Sequence, residues 1–157
     1  ENLLQSMLLA FFIISIIMSL LFKNFKMVLI SLIPNIIPLI IAGGIMGYFN
    51  IPLKPSSALV FSIVFGISVD YSIHFLAKFK NELLSKSLED SIINTINQTG
   101  RSMIFTSFIL FFGFIIFAFS NFGGTIVLGV LTSIILFVAM ITNLTLLPSI
   151  ILYFYKK

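Results

Sequence analysis

Five stretches of the chain, residues 3–22, 27–49, 57–77, 102–120 and 126–153, are long and apolar enough to cross a bilayer, which leaves few folds open. A spanning helix needs about 20 apolar residues, because the hydrocarbon core holds no water to satisfy an open backbone. With 59% hydrophobic and only 9% charged residues, the chain cannot cover a soluble core with a polar surface. The sequence therefore predicts an all-α polytopic membrane protein. It forms a single membrane domain over residues 1–157, with five transmembrane helices and one amphipathic helix at the interface, about residues 84–99.

The links between these runs carry the topology. Lys23-Asn24-Phe25-Lys26 is too short to do anything but turn the second run back beside the first. Inside that second run, Pro34 and Pro38 predict a kink, and Gly43-Gly44 with Gly47 predict close helix packing. Asn50–Ser56 contains two prolines and reads as a rigid turn. Lys78–Arg101 is the one long polar stretch, and Leu84, Leu88, Ile92 and Ile96 recur in it every four residues, as expected of a helix lying on the membrane surface. Ser87-Leu88-Glu89-Asp90 resembles a capping box that starts this helix, and Thr99-Gly100 predicts its end. Asn121–Thr125 makes the fourth and fifth runs a hairpin, and Thr142-Asn143 and Pro148 are candidate bends in the last.

With five spans, Lys23, Lys26, Lys78, Lys80, Lys86, Arg101, Lys156 and Lys157 fall on one side and Lys54 alone on the other. The positive-inside rule then predicts an extracytoplasmic N-terminus and a cytoplasmic C-terminus. The same distribution accounts for the net charge of +4 without nucleic acid as a partner; membrane lipids are the expected surroundings. No basic leader or cleavage site precedes the first run, so it does not read as a signal peptide, and the chain reads as a fragment or processed piece. With no cysteine and a single histidine, neither a disulfide framework nor a multi-histidine metal site is expected, and no cofactor is implied. No aspartate pair, Ser/His spacing or metal cluster suggests an intramembrane enzyme.

The third run is apolar enough to span, yet it carries Asp70, Tyr71 and His74 within five residues. A charge near the middle of a membrane helix costs roughly 2.5–3.5 kcal/mol on lenient scales, so Asp70 should face a partner or water. At 1.5 Å per residue it lies about 20 Å from Ser57 and about 12 Å from Lys78. Gly66, Asp70 and His74 are spaced i, i+4, i+8 and share one face; Tyr71 points about 100° away. Gly66, one turn above Asp70, leaves room for a partner group or water. A carboxylate so placed can load and release protons. In the fourth run Ser102, Thr106 and Ser107 are candidate polar neighbours, with bonding to their own helix carbonyls the plainer reading on chemistry alone.

Gly66-Ile67-Ser68-Val69-Asp70-Tyr71 resembles the G-x-x-x-D-Y signature of the resistance-nodulation-division (RND) superfamily, in its MMPL and sterol-sensing-like branch. Pro34-Asn35-Ile36-Ile37-Pro38, Thr99-Gly100-Arg101-Ser102 followed by Thr106-Ser107, Gly113-Phe114 and Leu146-Leu147-Pro148 are similar to that branch in order and spacing. The resemblance implies half of an RND-type membrane domain, the C-terminal repeat by its ending, with the other half-repeat and the porter domains as partners outside this chain. It implies a non-enzymatic, proton-driven exporter of lipids or other hydrophobic substrates in a bacterial cytoplasmic membrane. Asp70 and Tyr71 would then form the proton relay, supported by Gly66, His74, Thr106 and Ser107. The alternative that it implies is a sterol-sensing-like module that binds lipid and regulates a partner without pumping.

Overall fold

The computed structural model describes residues 2–22 and 25–155; side chains of residues 2–4, 6–8, 10, 11, 21, 22, 25 and 26 are not among what it describes. The basic link at Lys23-Asn24 and the terminal Lys156-Lys157 therefore lie outside the described residues. The described chain is helical apart from short turns: α1 (Asn2–Phe22), α2 (Phe25–Tyr48), α3 (Pro55–Leu83), α4 (Leu88–Thr95), α5 (Arg101–Ile115) and α6 (Gly123–Tyr155). Four helical segments among the described residues, 27–48, 55–83, 88–119 and 123–155, are long and apolar enough to cross a membrane. The protein is thus an all-α polytopic membrane protein.

Both ends of the α2–α3 turn are set by local chemistry. Asn50 adopts φ 52°, and the N–H groups of Ile51 and Asn50 donate to Met46 and Gly47 carbonyls at 2.9 and 3.3 Å. That left-handed residue closes α2 with a Schellman motif. Pro55 then occupies the first turn of α3, where its missing N–H costs nothing. Ser57 Oγ accepts the Lys54 N–H at 2.8 Å, so α3 begins before the apolar run does.

α6 is the centre of the bundle, packed by α2, α3 and α5. Ile135, Leu136, Ala139, Leu147 and Ile151 are fully buried along it. Where α5 and α6 meet, Gly129 permits a close approach: a Cβ there would stand 2.6 Å from both the Phe114 carbonyl oxygen and Phe117 Cβ. At the turn, a Cβ on Gly124 would stand 2.9 Å from Ser56 Oγ.

α2 continues through Pro34 and Pro38 without interruption. Pro38 has no N–H for the Pro34 carbonyl, and Thr142 Oγ1 of α6, which also donates to Ala139 O at 3.0 Å, shares its proton with that carbonyl at 3.3 Å. A neighbouring helix thus satisfies what the proline frees. A Cβ added at Gly43, Gly44 or Gly47 would meet nothing within 4 Å, so internal helix packing does not use these glycines. α6 likewise runs unbroken past Asn143 and Pro148.

The bounds expected for the helix at about residues 84–99 are corrected. Leu84–Ser87 form a turn, Ser87 Oγ caps α4 by accepting the Asp90 N–H at 3.2 Å, and the helix does not stop at Thr99-Gly100. It passes through a five-residue π turn, Ile96–Gly100, straight into α5. Gly100 has ordinary right-handed helical angles, and its missing side chain makes room for Leu144: a Cβ there would be 3.1 Å from Leu144 Cδ2. The glycine is a close-approach residue rather than a stop. Along the stripe Ile92 is buried, while Leu84, in the turn before α4, is 84% exposed. α4 turns Ser91, Ile92 and Thr95 inward, and the two hydroxyls bond Ser87 and Ser91 carbonyls at 2.7 Å, which hides their polarity.

Candidate functional site

The middle of α3 carries polar groups on opposite sides. Ser68 and Ser72 lie two positions either side of Asp70, about 200° around the helix, and both are fully buried. Ser68 Oγ donates to Asn35 Oδ1 at 2.7 Å and accepts from Asn143 Nδ2 at 3.0 Å. Ser72 Oγ shares its proton between Asn143 Oδ1 at 2.6 Å and Asn35 Oδ1 at 3.0 Å. This network joins α2, α3 and α6 at the core of the bundle, and Asn35 Nδ2 is buried with no hydrogen-bond partner among the described residues. Sequence reasoning missed it. The available signal was that Asn35 and Asn143 each sit well inside an apolar run, where an amide must find partners in other helices.

Clamping that face fixes the opposite one outward. The Asp70 side chain is 62% exposed and that of His74 70%. His74 Nε2 lies 3.4 Å from Asp70 Oδ1, one turn along the same face, as the i, i+4 spacing predicts. Tyr71, between the two faces, is buried, and its hydroxyl meets Ser107 Oγ at 2.6 Å. Ser107 thus meets a neighbouring helix through α3, while Thr106 beside it is exposed and lines the groove below. The pair Tyr71–Ser107 ties α3 to α5.

Two spaces flank Asp70. On one side a groove of about 590 Å³ runs between α3 and the α4–α5 helix, walled by Asp70, His74, Lys78, Gln98, Ser102 and Thr106 among others. The π turn places Gln98 and Thr99 along it, and such widened turns recur at functional sites. On the other side a smaller crevice of about 180 Å³ lies between α1 and α3, lined by Ile14, Ile17, Met18, Val69 and Ile73. Gly66 lies in this crevice, and a Cβ there would meet nothing within 4 Å. At the groove's far end Glu82 is held by Lys78 at 2.7 Å and Lys86 at 2.6 Å, so the lysine at the mouth is already paired. Among the described residues no group of three or more His, Asp or Glu side chains could hold a metal ion.

This geometry, a single carboxylate displayed from a spanning helix beside a buried tyrosine, lies on a chain whose residues 1–156 match the sequence profile of the MMPL family. The chain belongs to the MMPL family. A membrane protein of Methanocaldococcus jannaschii is 29% identical to this MMPL chain over 143 residues, 88% of this chain and 36% of that relative. The chain thus spans about a third of the length of that relative. No solved structure matches it.

Proposed function

We propose that this MMPL chain is a membrane half-repeat of a proton-motive-force-driven exporter of lipids or hydrophobic compounds, in which Asp70 takes up and releases the coupling proton. The observation that carries this reading is the exposure of the Asp70 side chain, 62%, on a helix apolar enough to span. Left against lipid, such a carboxylate is costly; facing a second half-repeat and water, it becomes a proton site. The half-repeat reading supplies that cover, and the outward faces of α1 and α5 supply the surface for it. Leu9, Phe12 and Leu20 of α1 and Phe105, Ile109 and Phe112 of α5 are all exposed. Tyr71 is the second relay member in this reading: it follows Asp70 directly and holds α5 through Ser107, so a change at Asp70 that turns α3 is passed to α5. The chain works in this reading as a transporter component in the cytoplasmic membrane, without enzymatic activity of its own, with porter domains supplying substrate choice.

The test uses the full-length protein in liposomes with an imposed pH gradient and a fluorescent phospholipid as the probe substrate. Translocation of the probe is expected to stop when the gradient is collapsed with nigericin. Gradient-independent translocation, or binding of the probe without any translocation, contradicts the proposal, the latter in favour of a lipid-binding regulatory module.

A further inference from the structure

The two spaces beside Asp70 differ in chemistry, and the difference has a direction. The α3/α4–α5 groove offers hydroxyl and amide groups from Gln98, Thr99, Ser102 and Thr106, together with Asn81 and His74. A space of this size and polarity holds several waters, each with partners to bond. The α1/α3 crevice offers only aliphatic and thioether side chains besides Asp70 itself. Of the two spaces, only the groove offers water a polar path to Asp70, and it opens toward the end marked by Lys78. His74 stands in that path, one turn from Asp70 toward Lys78, with Nε2 aimed at the carboxylate.

We propose that this groove is the aqueous route between Asp70 and the Lys78 side, and that His74 is the residue that passes the proton along it. The inference rests on the reading of Asp70 as the proton site. In the loading step Nδ1 of His74 takes a proton from groove water while Nε2 gives its proton to Asp70 Oδ1. This leaves a neutral imidazole protonated on Nδ1 and a neutral carboxyl group. The reverse transfer unloads Asp70 to the same side, and exchange with groove water or a ring flip restores the starting tautomer. At 3.4 Å the pair needs only a small closure or one bridging water for transfer. Imidazole suits the task because its two ring nitrogens are distinct, so that one takes up a proton while the other gives one away.

The charges that face His74 are few. On α3 they are Asp70 and Lys78, the latter paired with Glu82, which also holds Lys86. From the α4–α5 helix the groove lining carries no charge, with Arg101 exposed beside Ser102; the described side chains of α1 at the crevice are uncharged.

Two measurements on the full-length protein test this without knowledge of the substrate. The first follows the Asp70 carboxyl stretch by infrared spectroscopy after a pH jump on the Lys78 side. His74→Ala is expected to slow protonation of Asp70 at least about tenfold, and added imidazole, small enough to enter the groove, is expected to restore it. An unchanged rate in His74→Ala, or slowing that imidazole does not relieve, overturns the hand-over while leaving Asp70 as the proton site. Absence of any Asp70 band in the unaltered protein sinks both. The second exploits the lack of cysteine in this chain. In an otherwise cysteine-free background, Gln98→Cys and Ser102→Cys are expected to react with a charged methanethiosulfonate from the Lys78 side at least about tenfold faster than Ile14→Cys and Ile73→Cys. Equal rates at the two sets, or an unreactive groove, contradict the aqueous route.

Discussion

Replacing Asp70 by asparagine is expected to reduce gradient-driven transport by about a hundredfold or more while leaving the helix bundle intact. Proton transfer by a positioned side chain contributes typically 10²–10⁴-fold, and an amide can neither accept nor release the proton. The fold should tolerate the change, because the described contacts of the Asp70 carboxylate are confined to His74 and its side chain is 62% exposed. Asn at this place even removes the cost of a charge in the membrane. Asp70→Glu keeps the chemistry but extends the carboxylate by one methylene, so it should retain a measurable fraction of the activity. The check is probe-lipid translocation under a fixed pH gradient, read beside unfolding stability in bicelles. Loss of transport together with loss of stability would point to a structural carboxylate instead.

The largest stability effect is expected at Gly129. Valine there would force its Cβ to within 2.6 Å of the Phe114 carbonyl oxygen and of Phe117 Cβ. The first of these is backbone, so α5 and α6 cannot accommodate it by turning a side chain; the hairpin must separate. Overpacking typically costs 1–3 kcal/mol and occasionally more, and a backbone clash belongs at the upper end, about 3 kcal/mol. The separation also weakens the bond from Ser133 Oγ to the Phe111 carbonyl, at 3.2 Å. Steric-trapping unfolding of the variant measures the loss. Gly43→Val is the control: nothing lies within 4 Å of its Cβ, so it should unfold with nearly unaltered stability.

These two glycines show where sequence was informative and where it was silent. Apolar length alone places the helices, because a membrane permits little else. It does not say which glycine meets a neighbour. Gly43 and Gly47 have the small-residue spacing and stand open, whereas Gly129, which shares that spacing with Thr125 and Ser133, and Gly100, which does not, take the close approaches. Thr99-Gly100 misleads for a related reason: a glycine has the freedom to end a helix, but here it is the last residue of the π turn, with right-handed angles, and its missing side chain makes room for Leu144. Tertiary contact overrides the local signal.

The site divides in the same way. The Asp70–His74 pair is a property of one helix, and i, i+4 spacing made it readable. The partner of Tyr71 depends on the register of α3 against α5, which periodicity does not fix, so Ser107 was a candidate neighbour and nothing more. Asn35, Ser68, Ser72 and Asn143 come from three helices and escape any local pattern. They nonetheless decide the site's orientation. By holding the back of α3 against α2 and α6, they leave Asp70 on the side that faces the groove.

Proton coupling requires that Asp70 change its protonation state in the working protein. Isotope-edited infrared difference spectra of the full-length protein, recorded as the pH on the Lys78 side is lowered, observe this directly. The expected result is a carboxyl C=O stretch that grows with acidification, is lost in Asp70→Asn and rises more slowly in His74→Ala. A carboxylate that keeps one protonation state throughout, with transport still driven by the gradient, would contradict the role given to Asp70.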